Sequence, residues 1–283
     1  MKNKRIFLIL SLILFCSSFL NAFEIKENEI CEALENTSPF YLSWKLDAPL
    51  VTLSASSCVA GLLMQKFYPL PEDTELNLSL SDVNALDAFF ARSYSSGLDT
   101  VGTLLCAANL AVFPAAVFGT EFLRDNFPLK EFFPLLTMYA EGWMFSWGIK
   151  NILKVSVHRV RPYMYFDVWD MDALENHDFE FSWPSGHTTS AFYGATFLTY
   201  AFSVYYPESS WRIPVMVTSY GVAVATGIMR MASGNHFFTD VLTGAALGSI
   251  CGFIVPFMHH VLPKKENVEF SFAPGGMNVH FVL

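Results

Sequence analysis

Residues 101–120 read VGTLLCAANLAVFPAAVFGT, twenty positions without a charged side chain. A bilayer core is crossed by about 20 mostly apolar residues. A helix is the only open-chain conformation that satisfies every backbone N–H and C=O there. Five further stretches are of the same kind. Residues 49–65, 188–207, 213–229 and 241–258 carry no charge, and 132–149 carries one, Glu141. Asn109 and Pro114 in the first stretch and several glycines in the last also fit, since Pro and Gly are commoner in membrane helices than in soluble ones. The expected fold is all-α, a membrane-embedded helical bundle of about six helices. The competing reading is a soluble helical bundle, but six segments near spanning length do not fit one soluble core.

Composition agrees. Of 283 residues, 53% are hydrophobic and 15% charged, and 28 are Phe. That excludes a disordered chain, which is charge-rich and poor in aromatics. The net charge of −9 excludes a nucleic-acid partner, for want of cations to neutralise phosphates. Cys58, Cys106 and Cys251 lie inside apolar stretches, Cys16 lies in the leader, and only Cys31 lies in a polar segment. These are packing residues rather than a disulfide framework.

Residues 1–22 read as a signal peptide or signal anchor: Lys2, Lys4 and Arg5, an apolar run from Ile6 to Phe15, then small and polar residues to Ala22. An N-terminal segment, 23–48, precedes the membrane domain, 49–262. The tail, 263–283, alternates at Val268, Phe270 and Phe272, turns at Pro274-Gly275-Gly276, and alternates again at Met277, Val279 and Phe281. This pattern predicts a short C-terminal β-hairpin.

Positive loops mark the cytoplasm. Arg124 with Lys130, Arg212, and Lys264 with Lys265 fall on one side if the spans alternate. The opposite loops are acidic: 65–99 and 163–182 each hold six Asp and Glu. The junctions after Ile149 and Met229 and the start of the 188–207 stretch therefore face outward, although the basic run 150–161 falls on that side too. The expected location is a bacterial-type cell (inner) membrane, multi-pass, with these junctions toward the periplasm or exterior. A leader that places Phe23 outside conflicts with this if 49–65 also crosses.

Three polar clusters stand at those outward ends. The first is Lys154, His158, Arg159 and Arg161-Pro162. On a helix continued from Ile149, Lys154, His158 and Arg161 share a face, and paired cations suit an anion with several oxygens. The second is Pro184-Ser185-Gly186-His187, at a helix N-terminus whose amides attract anions. The third is Arg230, His236 and Asp240, with the last two spaced for one helical face. Each alone has a bland reading: a charged flank at the membrane boundary, a helix cap, a structural ion pair. Together they make an anion pocket with two histidines, suited to phosphoryl transfer through a histidine intermediate.

Lys154-x6-Arg161-Pro162, Pro184-Ser185-Gly186-His187 and Arg230-x5-His236-x3-Asp240 resemble, in order and spacing, the motifs of the type 2 phosphatidic acid phosphatase superfamily. That superfamily includes lipid phosphate phosphatases, class A acid phosphatases and vanadium haloperoxidases. The resemblance implies that His236 attacks phosphorus, Asp240 orients it, and His187 protonates the leaving oxygen. It implies that Lys154, Arg161, Ser185, Gly186 and Arg230 hold the phosphoryl oxygens, with no metal and no cofactor. The implied partners are a lipid phosphate substrate, such as phosphatidate, phosphatidylglycerol phosphate or a polyprenyl diphosphate, and membrane lipids. One position departs: Met229 stands where the family usually has Ser. Three alternatives stand beside this function: a vanadate-dependent haloperoxidase, a non-catalytic phospholipid-binding or transport protein, and a metal site built from His187, His236 and Asp240.

Overall fold

The computed structural model describes residues 38–67, 78–124, 127, 129–261, 268–273 and 276–281. The leader, most of segment 23–48, the Lys264-Lys265 pair and the Pro274-Gly275 turn lie outside them. The principal helices are α1 (Trp44–Lys66), α2 (Ala85–Phe90), α3 (Ser96–Ala107), α4 (Phe113–Leu123), α5 (Leu129–Val157), α6 (Met171–Glu175), α7 (Gly186–Tyr205), α8 (Arg212–Ala232) and α9 (Phe238–His259). Each of the six predicted apolar stretches falls on this helical frame.

Helices α3 and α4 join through a π-helical turn at Ala108–Val112, and together they make one 28-residue rod. The cause is local. Pro114 has no N–H to bond the carbonyl four residues back, and the freed Leu110 carbonyl accepts the Tyr139 hydroxyl of α5 instead. Within the turn, Asn109 is buried and donates to the carbonyls of Ala191 (3.3 Å) and Ser219 (2.7 Å). The irregular turn thereby ties α3–α4 to α7 and α8.

Among the described residues, four units are long and apolar enough to cross a membrane: Trp44–Met64, Ser96–Leu123, Arg212–Ala232 and Phe238–His259. Helices α5 and α7 are comparably long but carry more polar residues. Helix α7 is the central element: eleven of its residues are buried, against α9 on one side and α8 on the other. Its contact with α9 is backbone-close. Cβ atoms added at Gly244, Gly248 and Gly252 would lie 2.6, 2.1 and 2.7 Å from the carbonyl oxygens of Ser185, Thr189 and Tyr193. Small residues on such a stripe let two helices approach. The aromatic core, with Phe118, Phe127, Phe145, Tyr193 and Phe197, fills the other end of the bundle.

The helix ends sort into two levels. The C-termini of α5 and α8 and the N-termini of α3, α7 and α9 share one level, which carries the three polar motifs. At the opposite end Phe40 bridges His260, with Tyr41 N–H donating to the His259 carbonyl (3.0 Å) and Val261 N–H to that of Pro39 (2.9 Å). Helix α1 starts beside that end, so residues 38–43 lie away from the motifs. The tail forms the predicted hairpin, β1 (Val268–Ala273) antiparallel to β2 (Gly276–Phe281), with Phe270 opposite Val279.

Candidate active site

Helix α5 stops at Val157, before the expected terminus at Pro162. His158 takes a left-handed conformation (φ 54°), and its Nε2 lies 2.7 Å from Glu180. Lys154, His158 and Arg161 therefore do not share one helical face. Lys154 stays on the helix, His158 turns to the 178–180 loop, and Arg161 returns from an extended segment. Pro162 starts a short 3-10 turn rather than ending the helix. The N–H of Arg161 bonds the Phe179 carbonyl (2.8 Å) and that of Tyr163 bonds Gly234 (3.0 Å), which pins this segment between two loops. Gly234 adopts φ +77°, and a Cβ there would meet the carbonyls of Arg92 and Ser93 at 2.6 Å, so that loop requires glycine.

Lys154, Arg161, Gly186, His187, Arg230 and His236 line one cavity of about 420 Å³. Ser185 and Asp240 stand behind it. Ser185 is the N-cap of α7, accepting from Thr188 N–H at 3.5 Å, and is fully buried. Its own N–H bonds the Asp240 carbonyl (3.0 Å), which locks the second motif to the third. Gly186 forms the wall beneath Lys150, whose Cδ lies 3.1 Å from where a Cβ would sit.

His236 precedes α9 rather than lying on it, its N–H bonded to the Arg230 carbonyl (3.2 Å). Its Nδ1 is 3.7 Å from Asp240 Oδ2, ion-pair range but longer than a hydrogen bond. Asp240 Oδ2 instead accepts from Ser182 Oγ (2.5 Å) and Phe237 N–H (2.8 Å), and Oδ1 accepts from Arg159 (2.6 Å). Arg159 also bonds Asp87 (2.7 Å) and packs its guanidinium 4.1 Å from the Phe237 ring centre. Burial pushes the Asp87 carboxyl up, but bonds from Arg159 and Thr239 outweigh it and hold the group below its ordinary value. For His236, burial and then the charges of Arg161, Arg230, Lys154 and His187 drive it well below the ordinary 6.5. This setting favours the neutral ring.

Each cation of the pocket has a carboxylate neighbour. Asp178 pairs with Arg161 and lies 3.9 Å from Lys154, while Asp99 pairs with Arg230. Burial raises the Asp178 carboxyl, but Arg161, Lys154 and Lys150 pull it below its usual range. Asn235 Oδ1 accepts from Arg161 (2.9 Å). His187 sits at the mouth of α7 with Nε2 3.2 Å from Thr103 Oγ1. Trp143 and Trp147 complete the wall. Met229 packs where α8 meets α3, its Cβ 3.2 Å from where a Gly102 Cβ would stand. Lys150, Asp178, Asp99, Thr103 and Asn235 are site residues that motif reading did not single out. Arg159 was visible in the first cluster, but its role as partner of Asp240 was not.

Comparison with known proteins covers this region. A family model described as the PAP2 superfamily matches residues 135–264. A lipid A 1-phosphatase of Porphyromonas gingivalis is 27% identical over 88% of this chain and 49% of its own length. A phosphatidylglycerophosphatase B of Bacillus subtilis is 34% identical over 38% of this chain and 49% of its own length. The chain thus spans about half the length of the curated relatives it matches. A crystal structure of a transmembrane PAP2 type phosphatidylglycerolphosphate phosphatase from B. subtilis aligns with TM-score 0.48 and 23% identity, covering 75% of this chain and 98% of that one.

Proposed function

We propose that the chain, whose residues 135–264 match the PAP2-superfamily model, is a membrane phosphatase releasing phosphate from a lipid monoester or diphosphate through a phosphohistidine. The observation that carries this reading is the convergence of Lys154, Arg161, Arg230, His187 and His236 on one cavity at one end of an apolar bundle. Relatives named for lipid A and for phosphatidylglycerophosphate support a lipid substrate.

Lys154, Arg161, Arg230 and the N-terminal amides of α7 hold the phosphoryl oxygens and stabilise charge as it builds in the transition state. The His236 nitrogen turned away from Asp240 attacks phosphorus. Asp240, held by Arg159, Ser182 and the Phe237 amide, receives the proton-bearing Nδ1 as the ring becomes cationic. His187 protonates the departing oxygen. Water then attacks the phosphohistidine, with His187 as base. With three cations on the phosphate, no divalent ion is needed for chemistry. The cavity faces outward from the cell membrane, as the loop charges indicate.

The test is phosphate release from a panel of lipid phosphates by the purified chain in detergent, with and without excess chelator. Release from at least one lipid, undiminished by chelator and absent in His236→Ala, is expected. No release from any lipid, or activity lost in chelator and restored by magnesium, refutes the proposal.

A further inference from the structure

A second polar cluster lies at the end of the bundle away from the cavity. Asp47 of α1, Glu141 of α5 and His259, the last residue of α9, bring one ligand atom each to within 4.8 Å of one another. His259 Nε2 stands 2.7 Å from Asp47 Oδ1 and 3.6 Å from Glu141 Oε2. Nineteen residues separate Asp240 from His259 along α9, about 28 Å at 1.5 Å per residue. None of the three belongs to the catalytic motifs.

Two observations point to a cation site. The first is Glu141, only 3% exposed, with both carboxylate oxygens buried and reached by no hydrogen-bond donor among the described residues. A buried carboxylate in that condition is costly unless a cation meets it. The second is the orientation of His259. Its Nδ1 lies 2.8 Å from the Val255 carbonyl, which can only accept, so Nδ1 carries the hydrogen. Nε2 stands 2.7 Å from Asp47 Oδ1, which also only accepts, so it carries a proton that a bound cation would displace. A ligating histidine typically has one nitrogen on the metal and the other N–H on a backbone carbonyl, and here Val255 already holds Nδ1 in that way. Charge is consistent with this: with both carboxylates ionised the imidazolium cluster carries −1, and exchanging the Nε2 proton for a divalent cation brings it to zero.

We infer that Asp47, Glu141 and His259 form a structural site for a divalent transition-metal ion of the Zn²⁺ class, which clamps α1, α5 and α9 together at the end of the bundle opposite the cavity. The donor set decides the class. Two carboxylates with one imidazole suit zinc and its neighbours, whereas calcium and magnesium take all-oxygen sets. Asp47 is the one ligand with solvent access, which provides entry and a water for the fourth position. Small side-chain shifts bring the three atoms to the roughly 2.0–2.2 Å bond lengths zinc requires.

The test uses the full chain, free of any histidine tag, purified in detergent, stripped with chelator and titrated with Zn²⁺ alone. One tightly held zinc per chain is expected, measured by elemental mass spectrometry after gel filtration, with a rise in the unfolding temperature. Glu141→Gln and Asp47→Asn, each a near-isosteric change, should weaken Zn²⁺ at least tenfold, while His236→Ala should keep it. A stripped wild-type chain that takes up no zinc overturns the inference whatever the variants do. So does undiminished uptake in both carboxamide variants, and so does loss of uptake in His236→Ala, which would move the ion to the catalytic histidines.

Discussion

His187 and His236 line the same cavity from different settings, and their losses should differ. In the proposed mechanism, loss of His236 removes the covalent route for any substrate. Without His187 the cost depends on how badly the leaving group needs a proton, up to the 10²- to 10⁴-fold that general acids typically supply. His187→Ala should therefore retain more relative activity on p-nitrophenyl phosphate than on phosphatidate, and His236→Ala should be inactive on both. Equal losses for His187→Ala on the two substrates would make it a phosphate-binding residue. The depressed His236 also sets a pH dependence. Its proton is gone at every pH above a value well under 6.5, so the acid limb of kcat/KM, corrected for the substrate's own ionisation, should fall below 6.5. A limb at or above 6.5 contradicts the charge environment described. Asp178 places a negative charge on two of the cations that phosphate must use. Asp178→Asn should tighten competitive inhibition by inorganic phosphate about tenfold or more, since one charge at this range is worth over 1 kcal/mol even in a screened site. An unchanged inhibition constant would show that the carboxylate moves aside without cost.

At the scale of the element, the α7–α9 contact is the most exacting. Gly248 meets the Thr189 carbonyl so closely that any side chain forces the helices apart, whereas Gly221 on α8 has open space. Gly248→Ala should lower stability by about 1–3 kcal/mol, the usual cost of overpacking. Gly221→Ala should be neutral or slightly stabilising. Unfolding temperatures in detergent compare them, and similar values for both would refute the packing argument. Much at this scale was legible beforehand. Each predicted apolar stretch lies on a helix, because charge-free runs near twenty residues have few other uses. The hairpin was legible from its period of two. The irregularities were not. The end of α5 at Val157 depends on His158 finding Glu180 across a loop, and no local signal in the 154–162 run announces that. Asp178 and Asp87 sat among the acidic residues of the two outward loops, which the sequence uses only to orient the chain. Only the chain's return past Arg161, Lys154 and Arg159 turns them into site partners. Motif spacing picked out Lys154, Arg161, His187, Arg230 and His236 of the cavity lining because they cluster at helix ends, but their carboxylate neighbours arrive from other segments.

The whole molecule presents apolar helix faces between two polar ends. Leu104, Val112, Leu123, Phe133, Val217 and Ile250 point outward from the bundle. Trp44 and Trp211 are largely exposed at the end away from the cavity, with Phe89 and Trp169 exposed at the cavity end. Aromatic side chains favour the two membrane–water interfaces. Orientation is checked at an exposed residue of α6: Asp172→Cys in intact spheroplasts should react with an impermeant thiol reagent above the wild-type background. Labelling that appears only after lysis would put the cavity on the cytoplasmic side. The same geometry bears on the leader. With the cavity outside, residues 38–43 lie at the cytoplasmic end, and helix α1, long enough to cross, leads from there to the cavity level.

The pairing of residues 39–41 with 259–261 carries a consequence for how the protein is made. His259 and Asp47 touch across 212 positions, so that contact cannot form until residue 259 has left the ribosome. Every cavity-lining residue, the last being His236, and Asp240 behind it emerge earlier. During synthesis the cavity end can therefore assemble while the other end still stands open. A nascent chain halted just short of His259 would hold every cavity residue but not the closure that joins helix α1 to helix α9.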